Sequence, residues 1–534
     1  MPTIVPPVDI IVAGTAVSLG GIGDTLFVMD DIDLISTGGI GARLFSNNHA
    51  IVHGSIHGDA HGIVMGEEVA GGSVFVGDTG NVSGTNGSAI TGGPAGTGNG
   101  GTYSITNNGD LSNNSVNGTI EIVAPIADPE FFRGGQTSIT NAGLIANTYS
   151  PQPSTAIRVI NAGSTVQITN TETGVITAAG ENSTAIRVLG QSTFNTELEV
   201  EEITEITFVN AGEVFGGRFA YNSDGRGVDI VTNSGWLGGN VSLGVDDDSF
   251  TNTGGTVDGI LFLGAGNDVF DGRGGIVAGR VEGGSGNDTY LIDDSDITLF
   301  EAFGQGNDAV FAAASYALLG NFEDLTLLGS DDLNGFGNDQ ANQIEGNSGN
   351  NRLFGDAGTD QISGMAGNDW IDGGSSGDTL DGGTGDDRIL GRRGADQADG
   401  GSGDDTLLGN RGNDSLDGGD GNDRLIGGEG VDTLTGGDGE DEFVYKTVSA
   451  SPSSAPDEIT DFVVGTDKLD LSLLTSDPIT LELLGVFTGT GPSLRTAEIA
   501  GDTRVNIDVD GDGVADMRIV LVGTTGLMES DFIL

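Results

Sequence analysis

GNSGNNRLF GDAGTDQIS GMAGNDWID GGSSGDTLD GGTGDDRIL GRRGADQAD GGSGDDTLL GNRGNDSLD GGDGNDRLI GGEGVDTLT GGDGEDEFV, residues 346–444, is an unbroken run of eleven nine-residue units. Position one is Gly in every unit, and position four is Gly everywhere except Ser376. Position six is Asn351 in the first unit and then Asp360, Asp369, Asp378, Asp387, Asp396, Asp405, Asp414, Asp423, Asp432 and Asp441. Position eight is apolar throughout: Leu353, Ile362, Ile371, Leu380, Ile389, Ala398, Leu407, Leu416, Leu425, Leu434 and Phe443.

Glycine admits backbone angles closed to other residues, so GGxGxD predicts a tight turn whose carbonyls point at a common centre. The three residues left over suffice for one short strand with a single inward side chain. Two units then close an 18-residue coil, and turns on one edge belong to units n and n+2. Aspartates on that edge lie one coil apart and can share an ion. Ca2+ takes about six to eight oxygens, and carboxylates add charge to a set of carbonyls. A flexible Gly/Asp linker is the bland alternative, and an apolar position kept in phase through the array argues against it. GGSSG, residues 373–377, has the form of a hydrolase elbow. It lies in phase with the repeats, without a strand–turn–helix context, and is read as chance.

The unit resembles the GGxGxDxUx repeat of RTX proteins, which implies a calcium-binding parallel β-roll. Isolated units of the same kind, LGAGNDVFD, GGSGNDTYL and FGQGNDAVF, place Asp268, Asp288 and Asp308 at the liganding position. The stretch Ser315–Asn351 is similar to the segment that precedes RTX arrays in secreted bacterial proteins. Residues 445–534 resemble the C-terminal domain of serralysin-type proteases, through DEITDFVVGTDKLDLS from Asp457 and IDVDGDGVADMRIVLVG from Ile507. The final SDFIL is similar to the uncleaved signals read by type I secretion systems. This resemblance covers residues 256–534 and implies calcium as cofactor and export by type I machinery. Serralysins carry a zinc protease with HExxH, which is absent from this sequence, so protease activity is not carried over.

Composition agrees with that picture. The formal charge is −60, from 79 acidic and 19 basic residues, and the only lysines are Lys446 and Lys468. Such a balance excludes nucleic acid or an anionic membrane as a simple electrostatic partner and suits divalent cations. With 96 glycines and 6% aromatics, the chain reads as repetitive β structure with small inward side chains. There is no Cys, hence no disulfide, thiolate site or Cys nucleophile. The opening MPTIVPPVDIIVAGTAVSLGG lacks a basic n-region and is a poor secretory signal. No run approaches the ~20 apolar residues of a membrane span. Export is therefore expected without a cleaved N-terminal signal.

Residues 1–255 carry a looser pattern. Short β-branched runs end in Asn/Gly turns at Asn107, Asn141, Asn161, Asn210 and Asn233, and STAIRV occurs twice, from Ser154 and from Ser183. Turns recurring at about twenty residues suggest stacked coils of a parallel β-helix, in which stacked Asn side chains satisfy one another. A β-sandwich of the same short strands is the alternative. The expected architecture is all-β: a β-helix-like solenoid at 1–255, divergent RTX-like units at 256–345, the β-roll at 346–444 and a β cap at 445–534.

Other candidates are fewer. His49, His53, His57 and His61 recur at four-residue spacing, a zinc- or copper-like pattern on a helix, but their Gly- and β-rich context argues against one. Asp508, Asp510 and Asp512 with Gly513 start like an EF-hand loop, though Ile519 stands where the bidentate Glu belongs. A non-EF calcium site and a solvated acidic turn both fit. No convincing catalytic set is present. A lyase or epimerase on a β-helix would need an acid/base group and cations to neutralise a uronate, and Arg158 and Arg187 of the two STAIRV copies are the candidates on one face. Mannuronan epimerases join a β-helix to RTX modules, but their DPHE motif is missing; Asp128-Pro129-Glu130 is a faint echo. The expected function is a secreted calcium-binding protein with a surface, matrix or adhesion role, partnered by the cell surface or extracellular polysaccharide. The alternative is a polysaccharide-modifying enzyme.

Overall fold

The computed structural model describes residues 204–481 and 491–534 without a break. Before residue 204 it describes the coil strands and leaves out some connections, of which 66–71, 93–101 and 124–135 are the longest. The chain forms two compact units, Met1–Gly306 and Asn307–Leu534. Among the described residues every regular element is a β-strand except two 3-10 turns, Val448–Ala450 and Glu529–Asp531. The expected all-β architecture with parallel sheets is the observed one.

In the first unit one coil takes three strands. Thr165–Asn170 is followed by Val175–Ala178 and Thr184–Gln191, and the chain then returns to Glu205–Asn210 beside the first strand. Each strand pairs in parallel with its counterpart one coil away, which makes a three-sided β-helix rather than a sandwich. Alternation within the strands sends Ile105, Ile139, Ile168 and Phe208 inward as one in-register stack, all buried. At the corner that ends the first strand, the expected asparagine ladder is present. Asn107 Nδ2 donates to Asn141 Oδ1 at 2.8 Å, Asn141 to Asn170 at 2.9 Å, and Asn170 to Asn210 at 2.8 Å. Asn210 continues to Asn233 and Asn233 to Asn252, each at 2.8 Å. All six are fully buried. An amide carries both a donor and an acceptor, so identical side chains satisfy one another one coil apart. The side chain of Asn161, expected among these turns, lies outside the described residues.

In the second unit a coil takes two strands, so the array is a flattened roll. One sheet runs Gln361–Ser363, Thr379–Thr384, Gln397–Ser402, Ser415–Asp420 and Thr433–Asp438. The facing sheet runs Arg352–Phe354, Trp370–Ser375, Arg388–Arg393, Thr406–Arg411, Arg424–Glu429 and Glu442–Val444. All position-eight side chains point inward and are at most 5% exposed, the largest value belonging to Ala398. The C-terminal residues close the roll. Asp457–Ile459 extends the first sheet and is followed by Met517–Leu521, itself part of an antiparallel meander with Ser493–Ile499 and Asp502–Asp508. Lys468–Asp470 extends the second sheet, and the terminal strand Phe532–Ile533 pairs beside it.

Candidate calcium ladders

The turns are built by the glycines. At Gly383 and Gly385, φ is +96° and +122°, values that a side chain resists. The position-one glycines are needed for another reason: a Cβ on Gly382 would come within 2.5 Å of both Asp387 Oδ2 and the Gly400 carbonyl oxygen. The space that a side chain would fill is thus a cradle between a carboxylate oxygen and a carbonyl of the next coil. Gly355, Gly364, Gly400, Gly409 and Gly418 repeat this arrangement with their own Asp and carbonyl.

The position-six residues form two ladders, one on each edge. Each backbone N–H donates to Oδ1 of the residue one coil on. The first runs Asn342, Asp360, Asp378, Asp396, Asp414, Asp432 and Asp457. The second runs Asn351, Asp369, Asp387, Asp405, Asp423, Asp441 and Asp467. Distances lie between 2.6 Å and 3.3 Å. In the array all ten aspartates are 0–3% exposed. Their Oδ2 atoms are buried and accept no hydrogen bond. Removal from water, with like charge on neighbouring coils, raises their pKa: Asp378, Asp387, Asp414 and Asp423 are pushed up to about 7. Asp360, Asp369, Asp405 and Asp432 are pushed up to about 6, chiefly by burial. A buried carboxylate oxygen without a donor costs free energy unless a proton or a cation meets it. Carboxylate and carbonyl oxygens converging on a glycine-lined space are the donor set of a hard divalent cation, and the buried Asp clusters are compatible with calcium.

The sequence reading missed Asp457 and Asp467. They end the ladders at offsets of 25 and 26 residues rather than 18, because the segment that carries Val448–Ala450 intervenes.

The isolated units differ from the array. In the first unit the backbone N–H groups of Asp229, Asp248 and Asp268 donate to Oδ1 of Asp248, Asp268 and Asp288. Asp229 and Asp248 were not among the sequence candidates. Asp248 is pushed up to about 10, by burial above all. Leu263, fully buried, stands beside Asp268 where Gly283 stands in the next coil, so the cradle found in the array is filled there. Asp308, in the second unit, is buried and its N–H donates to Glu323 Oε2 at 2.8 Å.

In the cap, Asp508, Asp510 and Asp516 bring carboxylate oxygens together; Asp512 does not join them. Asp508 Oδ1 accepts from Gly511 N at 2.8 Å and Asp508 Oδ2 from Gly513 N at 2.8 Å. Asp512 Oδ1 instead accepts from Val514 N at 2.8 Å. The four histidines do not converge. His49, His57 and His61 lie on three strands, and their Nδ1 atoms pair with Ser73, Ser83 and Thr91 hydroxyls at 2.5, 2.5 and 3.1 Å. His53 sits in the turn between two of those strands, against the Phe75 ring.

Residues 328–534 match the family model described as the peptidase M10 serralysin C terminal. The second unit is an RTX-like β-roll. Among solved structures, the chain is similar to the AlgE6R3 subunit of the Azotobacter vinelandii mannuronan C5-epimerase, at 26% identity and TM-score 0.20, over 30% of this chain and 80% of that one. It is also similar to the extracellular lipase LipA from Serratia marcescens, at 15% identity and TM-score 0.16, over 42% of this chain and 45% of that one. No curated protein matches the chain. No helix among the described residues is long and apolar enough to cross a membrane.

Proposed function

We propose that this is a secreted protein whose β-roll is completed by calcium and whose solenoid serves at a surface or in a matrix. The observation that carries the reading is the pair of ladders: ten buried carboxylates, each with Oδ2 unmet in a glycine-lined cradle. Bound there, Ca2+ supplies the charge that lets these carboxylates stay ionised inside the roll. Where free calcium is low, a net charge of −60 and a glycine-rich array disfavour the roll, a state suited to threading through an exporter. The terminal SDFIL, at the end of the region that matches the serralysin C terminus, is the proposed type I address. The calcium role is assigned to 346–444 with its cap at 445–534, and the surface role to 1–255, through the cell surface or an extracellular polysaccharide.

Five Asp-to-Asp steps on each edge set the expected stoichiometry. Isothermal titration of the full chain should count on the order of six to ten ions. One or two ions would refute the reading.

A second reading, a polysaccharide-modifying enzyme, is supported by one contact set. Arg158 and Arg187 are in register on adjacent coils of the first unit. Arg158 pairs with Glu121 at 2.6 Å, and Ser88 Oγ donates to Glu121 at 3.3 Å, with His61 Nδ1 accepting from Ser88 N–H at 3.1 Å. A new reducing end or unsaturated sugar released from alginate or pectin would favour this second reading.

A further inference from the structure

The two outer faces of the β-roll have opposite chemistry. Position nine of alternate units falls on alternate sheets and points outward. On the first sheet it carries Ser363, Asp381, Asp399, Asp417 and Thr435 in register. On the second it carries Phe336, Phe354, Asp372, Leu390, Leu408 and Ile426 in register. The cations segregate the same way. All six arginines of residues 346–444 lie on strands of the second sheet: Arg352, Arg388, Arg392, Arg393, Arg411 and Arg424. The array's strands on the first sheet carry no Lys or Arg. In a chain with 19 cations and 79 anions, that is a strong local departure.

A groove of about 990 Å³ runs along the second face. Phe336 and Phe354 stack at one end, centroids 5.0 Å apart and planes 7° from parallel. Arg392, Arg393, Arg411 and Lys446 line it further along, and the residues around Val448–Ala450 add to its wall. Arg392 is held by Asp372 at 2.6 Å. Arg411 meets Glu429 only at 3.4 Å, with both side chains more than half exposed, a pair worth little in water. Arg393 and Lys446 form no ion pair with the described residues. The groove therefore offers a flat aromatic platform, an apolar floor and two cations, Arg393 and Lys446, whose charge is not spent in an ion pair among the described residues.

We infer that this groove binds a linear acidic polysaccharide, a chain of uronate sugars. Pyranose rings present apolar C–H faces to aromatic platforms. Their carboxylates suit guanidinium forks. Their hydroxyls suit Asp356, Asp372 and Glu429, which share the lining. A uronate chain brings several hydroxyl donors with each anionic group, which these acceptors can meet, whereas a nucleic-acid backbone brings far fewer for each phosphate. The inference rests on the calcium-completed roll and adds to it a polymer site of its own, separate from the surface role given to 1–255.

The test uses the full chain at saturating calcium, titrated calorimetrically with a galacturonate hexamer and with cellohexaose. The hexuronate should bind, with affinity falling as salt is raised, and the neutral hexamer should bind at least about tenfold more weakly. Arg393→Gln with Lys446→Gln should weaken the hexuronate by about tenfold, and Phe336→Ala should weaken both ligands. All three side chains point away from the core, and an unchanged calcium count in each variant shows that the roll is intact. Absence of hexuronate binding by a calcium-loaded chain would overturn the inference while leaving the calcium reading standing. So would equal affinity for both hexamers, or variants that bind as the parent does. Calcium-loaded dimers dissolved by Arg393→Gln with Lys446→Gln would assign the face to a second copy and overturn it as well.

Discussion

The asparagine ladder of the first unit and the aspartate ladders of the second stack a short polar side chain on itself, one coil apart, at a buried corner. They differ by one group. Asn170 gives its Nδ2 to Asn210 Oδ1 and offers its own Oδ1 to Asn141 Nδ2, so the ladder closes within the protein. Asp378 takes a backbone N–H on Oδ1 and has nothing on Oδ2. The coils carrying the asparagine ladder are therefore complete as a polypeptide, whereas the array is complete only with a proton or a cation at each step. At the end of the first unit Asp229, Asp248 and Asp268 also leave Oδ2 unmet and side with the array. A single amide-to-carboxylate exchange, repeated along a coil, converts a self-sufficient solenoid into one that answers to its surroundings.

The largest effect should come from chelation. In excess chelator at pH 8 the roll at 346–444 should lose its β structure, and the asparagine-laddered coils of the first unit should keep theirs. Hydrogen exchange read by mass spectrometry should show rapid exchange across 346–444 and protection across the strands that carry Asn107, Asn141, Asn170 and Asn210. Equal protection in the two units, or loss of both together, would break the contrast.

The next effect is that of pH on the chelated chain. The ladder carboxyls of the roll have pKa values raised above the ordinary 3.8, to about 7 at Asp378 and Asp423, with burial the main cause. A raised pKa means that the folded roll holds protons more tightly than the unfolded chain. Its contribution to stability is therefore fully present below the unfolded value of 3.8 and is lost as pH rises through about 7. The chelated roll should regain β structure as pH falls from 8 towards 4, and calcium affinity should fall over the same range. Circular dichroism that stays coil-like down to pH 4 would separate the ladders from proton control.

Exchanging the groups tests the comparison one residue at a time. Asn170→Asp removes the donor to Asn210 and puts an unpaired carboxylate in a fully buried corner. At pH 8 it should cost the first unit about 3–5 kcal/mol in denaturant unfolding. The reverse exchange, Asp396→Asn, should make the chelated roll easier to form and remove one or two bound ions. An Asn170→Asp chain as stable as the parent would mean that the ladder is decorative.

What the sequence made legible follows from fixed offsets. Position-six Asp387 and position-eight Leu380 recur every nine residues, so their placement could be read without coordinates. Asp457 and Asp467 could not, because loops shift them to offsets of 25 and 26 residues. Asn170 was invisible for a related reason: its turn reads TNTETG instead of Asn-x-Gly, although its side chain occupies the same rung. Asp516 was passed over for Asp512 because an EF-hand template was laid on a loop between two strands. The two-faced roll was hidden as well. Position nine looks irregular along the chain, and it becomes regular only when alternate units are assigned to opposite sheets.

The smallest effect lies inside the roll. Ala398 stacks in register between Leu380 and Leu416, on the sheet opposite its sequence neighbours Ile389 and Leu407. It is 5% exposed, against 1% for each of its two rung neighbours. A short side chain between two leucines leaves core volume unfilled, and gaps of this kind cost up to a few kcal/mol when the surroundings do not close. Stability in a stacked array passes between adjacent coils, so one weak rung divides it into two blocks. Ala398→Leu should raise the melting temperature of the calcium-loaded chain, by about 1–2 kcal/mol of stability, and sharpen the transition. The ion count should not change, because Asp396 keeps its place between Asp378 and Asp414. A fall in stability would mean that neighbouring layers already fill the space, and that this rung limits the roll less than its size suggests.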